Sequence, residues 1–425
     1  MGDVEISRGE KAKLGKVEGN LRVDKYAIIE GEGTPPELKV SGDIICNKNC
    51  VFNCNVSSRS FLGKGDVEVK GKLRAENSIR IERGSLRVDG TLEAREVDVD
   101  KQLVVSGNLD VEDSVDIGGY LRVDGQTKAR SIDVGGSFKS GKEVEAEEID
   151  IGGSFRAEGK VKSKRIDVGG IFEANDEVEA EKLDVGGSAI IGGGKIDQID
   201  VGGSFESREP LEFGDIDVGG TVRLANGCKG GKIDVGGILR VNGNITFEDV
   251  DVGGSSYIRG SAEGRSIDVG GIIEIDGDLQ LSDELDIGGR IRVKGEVKVR
   301  NLNVGGSLEA RKVEAEDVDV GGSMRTESGI KANTIYISEK SRVTGPIFGK
   351  RVIIGERARV EDVFGEQIYL ERKASARNLF GEEIRLESGC RVFGEIKYTR
   401  IFNAEEDVYL AKTPEKAEKL PSEES

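Results

Sequence analysis

A four-residue phrase, Asp-Val-Gly-Gly or a close variant, recurs thirteen times between Asp116 and Gly322, with successive starts 16 to 18 residues apart. Its first residues are Asp116, Asp133, Asp150, Asp167, Asp184, Asp200, Asp217, Asp234, Asp251, Asp268, Asp286, Asn303 and Asp319. A period near 17 is too short for a helical repeat and too regular for chance. It fits one turn of a parallel β-solenoid, whose repeats bury their apolar residues only by stacking on neighbours.

The repeat from Leu285 explains the number. Leu285-Asp-Ile287, Ile291-Arg-Val293 and Val297-Lys-Val299 each read apolar-polar-apolar, the alternation of a strand with one buried face. Three strands of three residues and eight turn residues give seventeen, the length of a triangular coil. The repeat from Ile233 has the same layout, with Ile233, Val235, Leu239, Val241, Ile245 and Phe247 facing in. Glycine is expected at the corners for backbone angles that other residues reach poorly.

The expected fold is therefore all-β, a single-stranded parallel β-helix with triangular coils of about 17 residues. Right-handed coiling is favoured, because parallel crossovers are biased that way and a left-handed coil of strict hexapeptides would hold 18 residues per turn. About 22 coils at roughly 4.8 Å predict a length on the order of 100 Å. Residues 79–334 form the regular helix, 19–78 irregular coils or a cap, and 335–402 a C-terminal set of coils. Residues 1–18 are expected to be a flexible tail and 403–425 a disordered acidic one.

Composition narrows the function. The net charge of −18 counts against nucleic acid or an anionic membrane as the main partner. No apolar run reaches 18 residues and the first residues carry no apolar stretch, so neither a membrane span nor a signal peptide is read. Five cysteines, an odd number, suit reduced thiols and a cytoplasmic location. Cys46, Cys50 and Cys54 lie close in sequence but match no zinc spacing. They read as small apolar residues, as do Cys228 and Cys390. The chain has no histidine, which removes histidine-based acyl transfer, and no cofactor is expected. Nearly bare coils offer no cleft, so an enzyme is not expected.

Two features remain as functional candidates. The repeated Asp points outward, and carboxylates stacked every ~4.8 Å repel by roughly 1 kcal/mol even in water. The column is either a copied residue tolerated by solvent, a ladder for Ca²⁺ or Mg²⁺, or a face that docks a basic partner. Its members are Asp116, Asp133, Asp150, Asp167, Asp184, Asp200, Asp217, Asp234, Asp251, Asp268, Asp286 and Asp319. The second candidate is the series Phe348-Gly349, Phe364-Gly365, Phe380-Gly381 and Phe393-Gly394, expected to stack as an inward aromatic ladder near the C-terminal end. A solenoid end is an open sheet edge, and no capping helix is visible. Phe380, Phe393 and Phe402 are accordingly the candidate self-assembly residues.

The short three-strand coil, the bare corners, and the closing run from Gly345-Pro-Ile-Phe-Gly349 to Phe393-Gly-Glu-Ile396 together resemble the bactofilins. The match is best over residues 335–397 and looser over 21–334. The resemblance implies a right-handed β-helix that assembles end to end into cytoskeletal filaments without nucleotide, and that recruits other proteins or organises the cell envelope. Three departures stand out: this helix is longer, it adds the Asp-Val-Gly-Gly column, and it lacks the membrane-targeting N-terminus of some members. The reading is a non-enzymatic structural protein whose main partner is itself. The alternative is a monomeric acidic or cation-binding scaffold whose Asp face or tails dock another protein.

Overall fold

The structure, a computed structural model, describes residues 2–421. These residues form strands and turns with no helix, stacked as a parallel β-solenoid of about 24 turns spaced about 17 residues apart. The chain divides into two compact units, Met1–Phe213 and Gly214–Ser425.

In the first unit, Ile44–Cys46, Cys50–Asn53 and Asn55–Ser58 make one turn, and Phe61–Gly63, Val67–Val69 and Leu73–Ala75 make the next. Each strand pairs in parallel with its counterpart one turn on: Ile44 with Phe61, Cys50 with Val67, and Val56 with Leu73. Three such ladders give the coil its three faces, and residues 19–78 are complete turns. The N-terminal residues differ from expectation. Val4–Ile6, Lys11–Leu14 and Lys16–Val17 pair with Leu21–Val23, Ile28–Gly31 and Glu37–Val40, making a first turn rather than a flexible tail. Its strands bury only Ile6 and Val17, too few apolar residues to stand out in a polar stretch.

The second unit repeats the scheme. Ile233, Val235, Leu239, Val241, Ile245 and Phe247 are all at most 4% exposed. Each such side chain contributes roughly 1.5–3 kcal/mol by leaving water. Within 403–425, Tyr409–Leu410 and Glu415–Lys416 pair with Arg391–Val392 and Lys397–Tyr398. The expected disordered tail thus supplies another turn, and only residues 422–425 lie outside the description.

Two expectations about side chains need correction. The inward aromatic ladder exists, but in the first unit: Phe138, Phe155 and Phe172 are buried, with successive ring centroids 4.8 and 5.2 Å apart. Phe348, Phe364 and Phe380 also stack, at 4.9 Å, but they occupy outward positions beside inward Ile347, Val363 and Leu379. Alternation places them there, because one residue's step along a strand changes the face.

The second correction concerns the Gly-Gly corners. None of the described repeat glycines adopts a left-handed conformation. What excludes a side chain is the carbonyl one turn back. A Cβ on Gly152 would lie 2.5 Å from the oxygen of Gly135, and one on Gly153 would lie 2.6 Å from that of Gly136. In the second unit the two glycines diverge: a Cβ on Gly271 would collide with the oxygen of Gly254, whereas one on Gly270 meets nothing within 4 Å. Gly271→Ala is therefore expected to destabilise by about 1–3 kcal/mol through backbone displacement. Gly270→Ala is expected to be neutral or to stabilise by about 0.4–1 kcal/mol through reduced unfolded-state entropy. Denaturant titration of both variants checks this, and equal losses would contradict it.

Candidate functional site

The Asp column is real and in register. In the first unit Asp98, Asp116, Asp133, Asp150, Asp167, Asp184 and Asp200 occupy equivalent positions on successive turns. In the second, Asp234, Asp251, Asp268, Asp286, Asn303 and Asp319 follow the same register, ending at Tyr336. Asp217 is exposed on Leu211–Val218. Strand pairing forces this alignment, because each inward Ile or Val neighbour must sit above its equivalent in the turn below.

Compensation is uneven. Arg80 reaches Asp98 at 2.9 Å. Arg165, Lys182 and Lys232 each reach the Asp two residues on, at 3.3, 3.4 and 3.6 Å. Ser338 donates to Asp319 at 3.2 Å. Asp116, Asp133 and Asp150 have neither an ion pair nor a side-chain hydrogen bond among the described residues. Partial burial, and then the flanking carboxylates of Asp116 and Asp150, push the Asp133 carboxyl above its ordinary value of 3.8. Among the described residues no group of three or more acids gathers as a metal-ligand cluster.

The aromatic candidates separate into three places. Phe380 ends the outward stack, which lines a groove of about 580 Å³ together with Leu420 and Pro421 from the end of the described chain. Phe393 is 58% exposed and lies 6.2 Å from the Tyr409 ring. Phe402 is half-buried against Tyr398 at 5.6 Å. Of these rings, Phe393 and Tyr409 are the most exposed, at 58% and 55%.

All five cysteines are free and buried. Burial pushes the thiols of Cys54 and Cys390 up to about 11 and raises that of Cys46 as well. Cys50 donates to the carbonyls of Asn47 and Asp24 at 3.2 and 3.4 Å, as a protonated thiol does.

Sequence reading missed one surface. On the first unit a groove of about 710 Å³ has a floor of small residues, Ala129, Ala146 and Ser163, between walls of charge. One wall alternates Lys128, Glu145, Lys162 and Glu179 in register, with pairs at 3.3 and 3.7 Å. Alternating signs at the repeat period were the available signal. This face neutralises itself, which the Asp column does not.

No family model, curated protein or solved structure matches this chain. No helix among the described residues is long and apolar enough to cross a membrane.

The raised Asp133 titration has a definite sign. A carboxyl whose folded-state value lies above its unfolded one favours the folded state at low pH, and that contribution is lost as pH rises through the raised value. Asp133→Asn is therefore expected to stabilise at pH 7 by at most about 1 kcal/mol after solvent screening. The gain should shrink with added salt and vanish below pH 3.8, where wild type is protonated in both states. Thermal melts at pH 7 and pH 3 measure it. A variant less stable than wild type at pH 7 would contradict the account.

Proposed function

We propose that this chain is a non-enzymatic structural scaffold, bactofilin-like in its solenoid, that assembles end to end with copies of itself. The observation that carries this reading is where exposed apolar surface lies. Of nine large exposed hydrophobic residues among the described ones, Phe393, Ile401 and Tyr409 fall in the last turns of the second unit, and Tyr26 and Ile28 lie one turn in from the first strands of the first unit. Scattered exposed residues need no explanation, but a group such as Phe393, Ile401 and Tyr409 beside the last paired strands of a sheet does. Among the described residues Val4–Ile6 pairs only with Leu21–Val23, and Tyr409–Leu410 only with Arg391–Val392, so each of these strands keeps backbone donors and acceptors free along one side.

The absence of histidine and the open, self-neutralising or aromatic grooves support the non-enzymatic part of the reading. A cation-dependent scaffold built on the Asp column is the second reading, favoured by the uncompensated run from Asp116 to Asp150.

Electron microscopy and sedimentation velocity of the full chain test both. Wild type is expected to form filaments that lengthen with concentration and are indifferent to EDTA. The double variant F393D/Y409D is expected to raise the concentration needed for assembly by about tenfold or more, a change of ~1.4 kcal/mol per contact. Single-chain particles at every concentration would overturn end-to-end assembly. Filaments abolished by EDTA would favour the second reading.

A further inference from the structure

The second unit carries a column of opposite character. On one outward line of successive turns stand Arg290, Ser307, Ser323, Arg342, Arg359, Ser375 and Arg391, paired in register from each turn to the next. No carboxylate interrupts it. Arg325 lies on the adjacent line, two residues along the strand from Ser323. Arg290, Arg325 and Arg342 share a groove of about 350 Å³ with Arg292, which turns to Glu309 at 3.8 Å.

The guanidinium groups of Arg290, Arg325, Arg342, Arg359 and Arg391 have no carboxylate partner among the described residues. Several acids nearby are otherwise engaged: Asp362 and Glu361 by Arg377, Glu339 by Lys340 at 2.5 Å, and Glu356 by Arg357 at 3.6 Å; Glu274 lines the groove without closing an ion pair to these arginines. Arg342 and Arg359 stand on adjacent turns, so two like charges lie close together without an acidic partner among the described residues. A chain of net charge −18 that leaves arginines unpaired in a line is presenting them to something else.

We infer that this arginine–serine column is the docking surface for the Asp column of a second copy, joining copies side to side. Charge is complementary, and so is spacing. Both columns place one residue on each turn, about 4.8 Å apart, because both repeat by strand pairing. The adjacent pair Arg342 and Arg359 therefore faces an adjacent pair such as Asp133 and Asp150 without adjustment. An extended acidic peptide offers same-side carboxylates only every ~6.6 Å and falls out of step within two residues. The serines between the arginines are small and carry hydroxyl donors, which lets opposing carboxylates approach the column.

This contact is lateral and does not rest on end-to-end assembly; filament length reports one and association width the other. The test uses three variants of the full chain, D133K/D150K, R342E/R359E and the quadruple combination, each confirmed folded by circular dichroism. Sedimentation at low salt and electron microscopy read lateral association. Each double variant alone is expected to lose it, with the association constant falling about tenfold or more. An equimolar mixture of the two double variants, and the quadruple variant by itself, are expected to recover it. Added salt should weaken it throughout. Lateral association unchanged by either reversal, or lost in the doubles and not recovered on mixing, overturns the proposal. So does inorganic polyphosphate binding to the arginine column in a wild type that shows no lateral association.

Discussion

The interaction on which this structure depends is the parallel, in-register hydrogen bonding of each turn to the next. It fixes the spacing at about 4.8 Å and places each residue over its equivalent one turn away. Everything distinctive follows as a column: aliphatic columns inside, the Phe138–Phe155–Phe172 stack in the core, and columns of Asp, of alternating Lys and Glu, and of Arg and Ser outside. A globular fold would scatter these residues. Here a repeat of one residue type along the chain becomes a surface of one chemical character.

The same constraint explains the corners. Turns this close leave the carbonyl of one corner directly beneath the α-carbon of the next, which requires glycine at both corner positions in the first unit and at the second of the two, such as Gly271, in the second unit. The Asp of the phrase answers to no such requirement. It faces outward and, among the described residues, is unpaired over three turns, and at Asp133 burial and the flanking carboxylates work against the charge. An outward acidic residue repeated in a column of its own kind, with no packing role, is better explained by a contact than by packing.

Much of the architecture was legible because period and alternation are written in individual residues. Ile233, Val235, Leu239, Val241, Ile245 and Phe247 were placed inward from their spacing, and all are buried. Legibility failed where signals were short or ambiguous. The turns at residues 4–17 and 409–416 pair through the backbone with few apolar side chains, and backbone pairing leaves little trace in sequence. The one-per-turn recurrence of Phe348, Phe364 and Phe380 points to an inward stack, although Val363 beside Phe364 takes the inward position. The arginine column leaves no sequence signal because it lies outside the repeated phrase, on strands whose register only the fold supplies.

A scaffold that extends by adding turn to turn should continue its own hydrogen-bond ladder across each junction. The most direct measurement is the strand spacing at the joint between copies, by cryo-electron microscopy of assembled protein. The account predicts about 4.8 Å between the last strand of one copy and the first of the next, the same as within a copy. A joint near 10 Å, the separation of packed sheet faces, or copies meeting only side to side, would contradict it.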